Sequence, residues 1–120
     1  MKTTTEIARR LIELCRKADF LTAQKELYAE EVVSIEPHET PAFPKETKGL
    51  KAVNEKIQKF TDMTEELYSI HVSEPLIATN AIAIAMTMDI KMKEQNRSAM
   101  SELCVYEVKE GKIVSENFFM

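Results

Sequence analysis

The sequence predicts an α+β domain in which three N-terminal helices pack on one face of a curved antiparallel sheet. Apolar residues recur with helical periodicity through the first half of the chain, and a period of two replaces it after about residue 66. The stretch NAIAIAMTMDIKM is the clearest strand signal. With 120 residues, 44% of them hydrophobic, and only two glycines, the chain is expected to form one domain over residues 1–120.

Three segments carry helix signals. Thr3 and Glu6 form a capping-box pattern before the first helix. Asp19 is expected to cap a second, shorter helix, and Gly49 opens the third. The predicted buried faces are Ile7, Leu11, Leu14, Cys15 and Ala18; then Phe20, Gln24, Leu27 and Tyr28; then Leu50, Val53, Ile57 and Phe60.

The strands are predicted from alternation and from breakers. A short strand from about Val32 to Glu36 ends at Pro37, which has no N–H to donate to a sheet. Residues 37–48 are expected to form a loop. Residues 67–78 alternate, with Tyr68, Ile70 and Val72 on one face, and two more strands are predicted over 98–109 and 112–120.

The strand over 81–92 has two different faces. Its large face, which should meet the helices, carries isoleucines and methionines, whereas the opposite face begins with Ala81, Ala83 and Ala85. Small side chains let a second sheet approach closely, which favours a homodimer through the back of the sheet. The alternative is a plain solvent face. The predicted large face is Ile82, Ile84, Met86, Met88, Ile90 and Met92.

The last hairpin decides which residues of its two strands face inward. Because glutamate disfavours a positive φ, a three-residue loop over 109–111 with a left-handed Gly111 is predicted. That register pairs Cys104 with Glu116 and Glu102 with Phe118. A slip of one residue would turn one strand's set outward.

Composition excludes several classes of function. The net charge of −4 is spread along the chain without a basic patch, so no nucleic-acid binding is expected. The longest apolar run, 81–88, is too short to span a bilayer, and the N-terminus lacks the apolar core of a signal peptide, so a cytoplasmic protein without membrane contact is expected. Cys15 and Cys104 share no metal-ligand spacing, and we expect buried thiols, no metal and no cofactor.

Three segments in this order resemble the nuclear-transport-factor-2-like superfamily, and within it the SnoaL-like branch of polyketide cyclases and ketosteroid-isomerase-type enzymes. They are YAEEVVSIEP, KGLKAVNEKIQKF and CVYEVKEGKIVSENFF. The resemblance covers nearly the whole chain and implies a cone with a pocket at its wide end. Homodimers through the sheet are common in that superfamily.

The resemblance implies a site only in part. The isomerase-type general base falls on Glu36, but the two oxyanion donors fall on Leu11 and Cys104, which are no donor and a weak donor. The cyclase-type carboxylate and histidine fall near Phe118 and about Cys104. A steroid isomerase is therefore not expected.

The residues expected at the pocket fall into two groups. Glu36 is the candidate general base, with His38 and Glu116 as further candidate catalytic groups, while Glu39 beside His38 belongs to the same loop. The alternative for Glu102 and Glu116 is a hydrated or lysine-paired position near the rim. The expected ligand-binding residues are Tyr28, Met86, Met88, Met100, Glu102, Cys104, Tyr106 and Phe118.

Two functions remain open from the sequence. The first is a cofactor-free enzyme that transfers a proton on a small hydrophobic carbonyl compound. The second is a non-catalytic module that binds a small apolar ligand or serves dimerisation. They differ in the role of Glu36: its replacement by glutamine abolishes turnover in the first case and only alters affinity in the second.

Overall fold

The computed structural model describes all 120 residues as three helices packed on one seven-stranded sheet. The helices are α1 (Thr4–Arg16), α2 (Phe20–Leu27) and α3 (Leu50–Met63). The strands are β1 (Tyr28–Ile35), β2 (Glu46–Lys48), β3 (Thr64–Val72), β4 (Leu76–Ile77), β5 (Ala81–Met92), β6 (Ser98–Lys109) and β7 (Lys112–Phe119). The predicted α+β architecture is confirmed.

The sheet is mixed, whereas the sequence predicted an antiparallel one. Its strand order is β2-β1-β7-β6-β5-β3, with β4 added beside β5. β1 lies parallel to β7, and all other pairs are antiparallel. The two parallel strands are separated by most of the chain, so no tight hairpin forces them to run in opposite directions.

The helices begin largely as predicted. Thr3 and Glu6 form the capping box, in which the Thr3 hydroxyl accepts from the Glu6 N–H at 3.1 Å and the Glu6 carboxylate accepts from the Thr3 N–H at 2.9 Å. Asp19 precedes α2 but makes no side-chain cap. Gly49 precedes α3 with a φ of 93°, a conformation that suits glycine. None of the three helices is both long and apolar enough to cross a bilayer.

Some strand boundaries differ from the prediction. Tyr28, assigned to the stripe of the second helix, instead begins β1, four residues before the predicted start. The predicted loop over 37–48 contains β2, which is too short and too exposed to show any alternation. A bulge in β3 interrupts the predicted face, so that Tyr68 is exposed while Ile70 packs against the core.

The last hairpin has a two-residue turn, so the predicted three-residue loop is wrong. Glu110 and Gly111 have φ values of 51° and 75°, as a type I′ turn requires. A bulge follows, and Cys104 pairs with Phe118 instead of Glu116. The register thus differs from the predicted one by two residues. Because side chains repeat with a period of two, the predicted inward-facing set keeps its side of the sheet.

Candidate active site

A partly open cavity of about 270 Å³ lies between the helices and the inner face of the sheet. Of its 22 lining residues, 14 are hydrophobic. We call its buried end, where Tyr28, Tyr106 and Glu116 lie, the base, and the end with exposed His38 and Met120 the rim. The aromatic lining residues are Phe20, Tyr28, Phe43, Phe60, Tyr106 and Phe118.

Glu116 on β7 is held at the base by two hydroxyl groups. The residue is only 3% exposed. Tyr28 donates to one carboxylate oxygen, and Ser34 donates to the other at 2.6 Å. Burial raises the pKa of Glu116, and the two donated hydrogen bonds act in the opposite direction. The rim position that was the alternative for this residue is therefore wrong.

Lys56 of α3 connects the base to the rim. Its ammonium group donates to Ser34 Oγ at 2.6 Å and forms an ion pair with Glu36 Oε2 at 2.7 Å. The same nitrogen lies 5.6 Å from the centre of the Phe118 ring. An ammonium group has three N–H donors, so one remains for a ligand in the cavity.

Glu102 on β6 lies nearer the rim and has no ion-pair partner. Its one hydrogen bond comes from the Cys104 thiol, a weak donor, at a sulfur–oxygen distance of 3.6 Å. Burial and the nearby Glu36 carboxylate raise the pKa of Glu102 to about 7. A carboxyl group with such a pKa exchanges its proton readily at neutral pH.

The structure brings most of the predicted site residues together. The two remaining candidate catalytic residues, Glu36 and His38, line the cavity, as do all the predicted ligand-binding residues except Cys104. Cys104 is fully buried behind the wall, since its short side chain lies between the longer ones of Glu102 and Tyr106 on the same face. Glu39 is exposed and does not line the cavity.

Sequence reasoning missed Lys56 and Ser34, although both had a signal. Lys56 lies three residues after Val53 and directly before Ile57, so it interrupts the apolar stripe of α3. Ser34 lies two residues from both Val32 and Glu36, so it shares their inward face. A lysine within an apolar stripe was the stronger of the two signals.

The cavity contains groups that can transfer a proton. Three carboxyl groups, those of Glu36, Glu102 and Glu116, and the single ammonium group of Lys56 share one apolar cavity. No three His, Cys, Asp or Glu side chains come together in a way that could hold a metal ion. A proton-exchanging carboxyl and a fixed cation in the same cavity are groups that general-base chemistry at a carbonyl compound uses.

Fold and cavity together define an α+β domain whose helices and curved sheet enclose an apolar cavity, and comparison with known families assigns the chain to a family. The chain belongs to the SnoaL-like domain family, whose model matches residues 2–120. A search of the curated proteins gave no match.

Solved structures agree with this assignment. A candidate SnoaL-like polyketide cyclase from Mesorhizobium loti is 28% identical, with a TM-score of 0.91 over 99% of this chain and 100% of that one. A candidate isomerase from Bacillus subtilis is 19% identical, with a TM-score of 0.72 over 96% and 84%. A Mycobacterium tuberculosis protein, solved with estradiol-17β-hemisuccinate, is 18% identical, with a TM-score of 0.76 over 99% and 95%.

Proposed function

We propose that this SnoaL-like protein is a cofactor-free enzyme that moves a proton on a small hydrophobic carbonyl compound, in isomerase- or cyclase-type chemistry. One observation carries the proposal: the unpaired Glu102 carboxyl and the Lys56 ammonium group, with its spare N–H, line the same apolar cavity. The cyclase and isomerase descriptions of the related structures are in keeping with it.

In this mechanism Glu102 is the general base and Lys56 stabilises the developing charge. The Glu102 carboxylate removes a proton from the carbon beside the carbonyl group. The electron pair of that C–H bond moves toward the carbonyl oxygen, which becomes an enolate and accepts a hydrogen bond from Lys56. Protonated Glu102 then returns the proton to carbon, and no other reactant is consumed.

Glu36 has a different role in this proposal from the one the sequence predicted. Its carboxylate lies 2.7 Å from the Lys56 nitrogen, so the approach of a substrate carbon competes with a strong ion pair. Glu36 then positions Lys56, as Ser34 does from the other side. The role of Glu36 as the general base stays a prediction, and the same experiment tests it.

The experiment measures solvent deuterium exchange at the two carbons beside the carbonyl group of 2-tetralone, a compact two-ring ketone, by NMR. Wild-type protein should catalyse the exchange, and Glu102→Gln should lower the rate at least about a hundredfold. Lys56→Met should lower it by about the same factor, because the enolate loses its donor. Glu107→Gln is the matched control, since Glu107 lies on the exposed outer face of the same strand.

Two outcomes would contradict the proposal. If Glu36→Gln abolishes exchange and Glu102→Gln does not, Glu36 is the general base. If wild-type protein binds 2-tetralone but exchanges no proton, the non-catalytic ligand-binding function replaces the enzyme.

We also infer that two copies associate through the outer face of the sheet. Leu103 is 44% exposed and Phe119 54% exposed, and the pairing register places them in one row with Ala85. Such a row of exposed apolar and small side chains is typical of an interface. Sedimentation equilibrium should give twice the chain mass, and Leu103→Glu should give a monomer. A wild-type monomer at every concentration would contradict the inference.

A further inference from the structure

Two polar side chains of the cavity have unused hydrogen-bonding capacity. The Tyr106 hydroxyl has no oxygen or nitrogen partner and only the weakly accepting sulfur of Cys104 beside it, although the residue is only 3% exposed. Tyr106 lines the cavity, so a ligand there can approach its side chain. Glu102, on the same face of the same strand, has only the weak thiol donor of Cys104. A ligand can satisfy both groups.

The charges of the cavity are out of balance. Its three carboxyl groups face one ammonium group, and Lys56 is already engaged by Glu36 and Ser34. Glu116 is satisfied by the Tyr28 and Ser34 hydroxyl groups. Glu102 is thus left without an ion-pair partner, and an opposite charge nearby favours the ionised form of a carboxyl group.

The walls suit the organic part of a cation. Six aromatic side chains line the cavity. The face of an aromatic ring attracts a positive charge, and flexible methionine side chains such as Met86 and Met100 adapt to an apolar body. Glu102 and Tyr106 are four residues apart on a strand, which sets their Cα atoms about 13 Å apart.

We propose that this cavity also binds a hydrophobic amine, whose ammonium group pairs with Glu102 and whose far end carries a hydroxyl group that meets Tyr106. The spacing of the two residues along β6 suits an elongated ligand with a polar group at each end. This inference does not depend on the proton transfer proposed above, since binding needs the charge of Glu102 and not its basicity. An amine in this position competes with a carbonyl substrate.

The test uses tyramine, which has an ammonium group at one end and a phenol at the other. Its matched probes are 4-ethylphenol, which lacks the amine, and 3-(4-hydroxyphenyl)propionate, which replaces it by a carboxylate. By calorimetry at pH 8, tyramine should bind wild-type protein at least about tenfold more tightly than either. Glu102→Gln, which preserves the shape of the side chain, should remove this advantage, whereas the control Glu107→Gln should retain it.

Lys56→Met separates the two proposals. It removes the only cation of the cavity, so tyramine should bind at least as tightly while deuterium exchange into 2-tetralone is lost. Tyr106→Phe should lower the affinity for tyramine severalfold and leave that for phenethylamine, which has no hydroxyl group, unchanged. Equal binding of tyramine and 4-ethylphenol to wild-type protein, or an advantage that survives Glu102→Gln, would overturn the inference.

The affinity for tyramine should also rise with pH through about 7 as Glu102 ionises. The titratable groups facing Glu102 are Glu36 after β1, Lys56 on α3, Glu116 on β7 and Cys104 beside it. The profile is repeated with His38→Gln as a control, because His38 is the one histidine that lines the cavity. A rise that disappears in His38→Gln but persists in Glu102→Gln would contradict the assignment.

Discussion

Glu116 and Glu102 lie in the wall of one cavity, yet their surroundings are opposite. Glu116, at the base, accepts hydrogen bonds from Tyr28 and Ser34 on its two oxygens. Glu102, toward the rim, has only a thiol donor at 3.6 Å. Burial raises the pKa of both groups. The comparison separates a carboxyl group that the fold uses from one that the fold leaves available for a ligand or a proton.

The largest expected effect contrasts the two carboxyl groups directly. Glu116→Leu should lower the free energy of unfolding by about 3 kcal/mol, because it leaves two buried hydroxyl groups without an acceptor. Glu102→Leu should change it little at pH 7.5 or raise it, since no strong partner is lost. Urea denaturation measures both. Equal losses would mean that Glu102 is as structural as Glu116.

The second effect is the pH dependence that Glu102 imposes on stability. The folded protein holds this proton up to about pH 7, whereas the unfolded chain releases it near 4.5, so stability should fall as the pH rises between these values. The full difference corresponds to about 3 kcal/mol as an upper limit.

Glu102→Gln is the test of this pH dependence, because it removes the ionisation. Its stability relative to wild type should therefore increase from pH 4.5 to pH 7 and then level off. A difference that does not vary with pH would show that the folded protein leaves the Glu102 pKa near its ordinary value.

The smallest expected effect concerns the hydrogen bonds by which Ser34 links Glu116 at the base to Lys56. Ser34 donates to Glu116 and accepts from Lys56, so Ser34→Ala should cost about 1–2 kcal/mol of stability and lower the exchange rate of 2-tetralone less than about tenfold. Ser115→Ala is the matched control, since Ser115 bonds only Glu107, on the outer face. An unchanged stability of Ser34→Ala would contradict the link.

The fold was predictable from sequence because it depends on periodicity. The alternation of β5 is strong enough to identify its inner face, and an error of two residues in the last hairpin left the facing of Glu102 and Tyr106 intact. The short strand β2 was missed, because three exposed residues carry no pattern.

The base of the cavity was not predictable in the same way. Its hydrogen bonds join residues 82 and 88 positions apart, and no local pattern specifies which hydroxyl group meets which carboxylate. Lys56, by contrast, carries a local signal, because it interrupts the apolar stripe of α3. The Glu36–Lys56 ion pair depends on the angle at which α3 crosses β1, and no local sequence pattern specifies that angle.

The parallel pairing of β1 with β7 has a consequence for how the protein is made. The base needs Tyr28 and Ser34 from one strand and Glu116 from the other, so it cannot form on the ribosome before Glu116 has been synthesised. Pairing over so long a separation is also a slow step in folding. A ligand that requires the closed base therefore recognises only molecules that include β7, and a nascent chain or a chain truncated before β7 has no site for it.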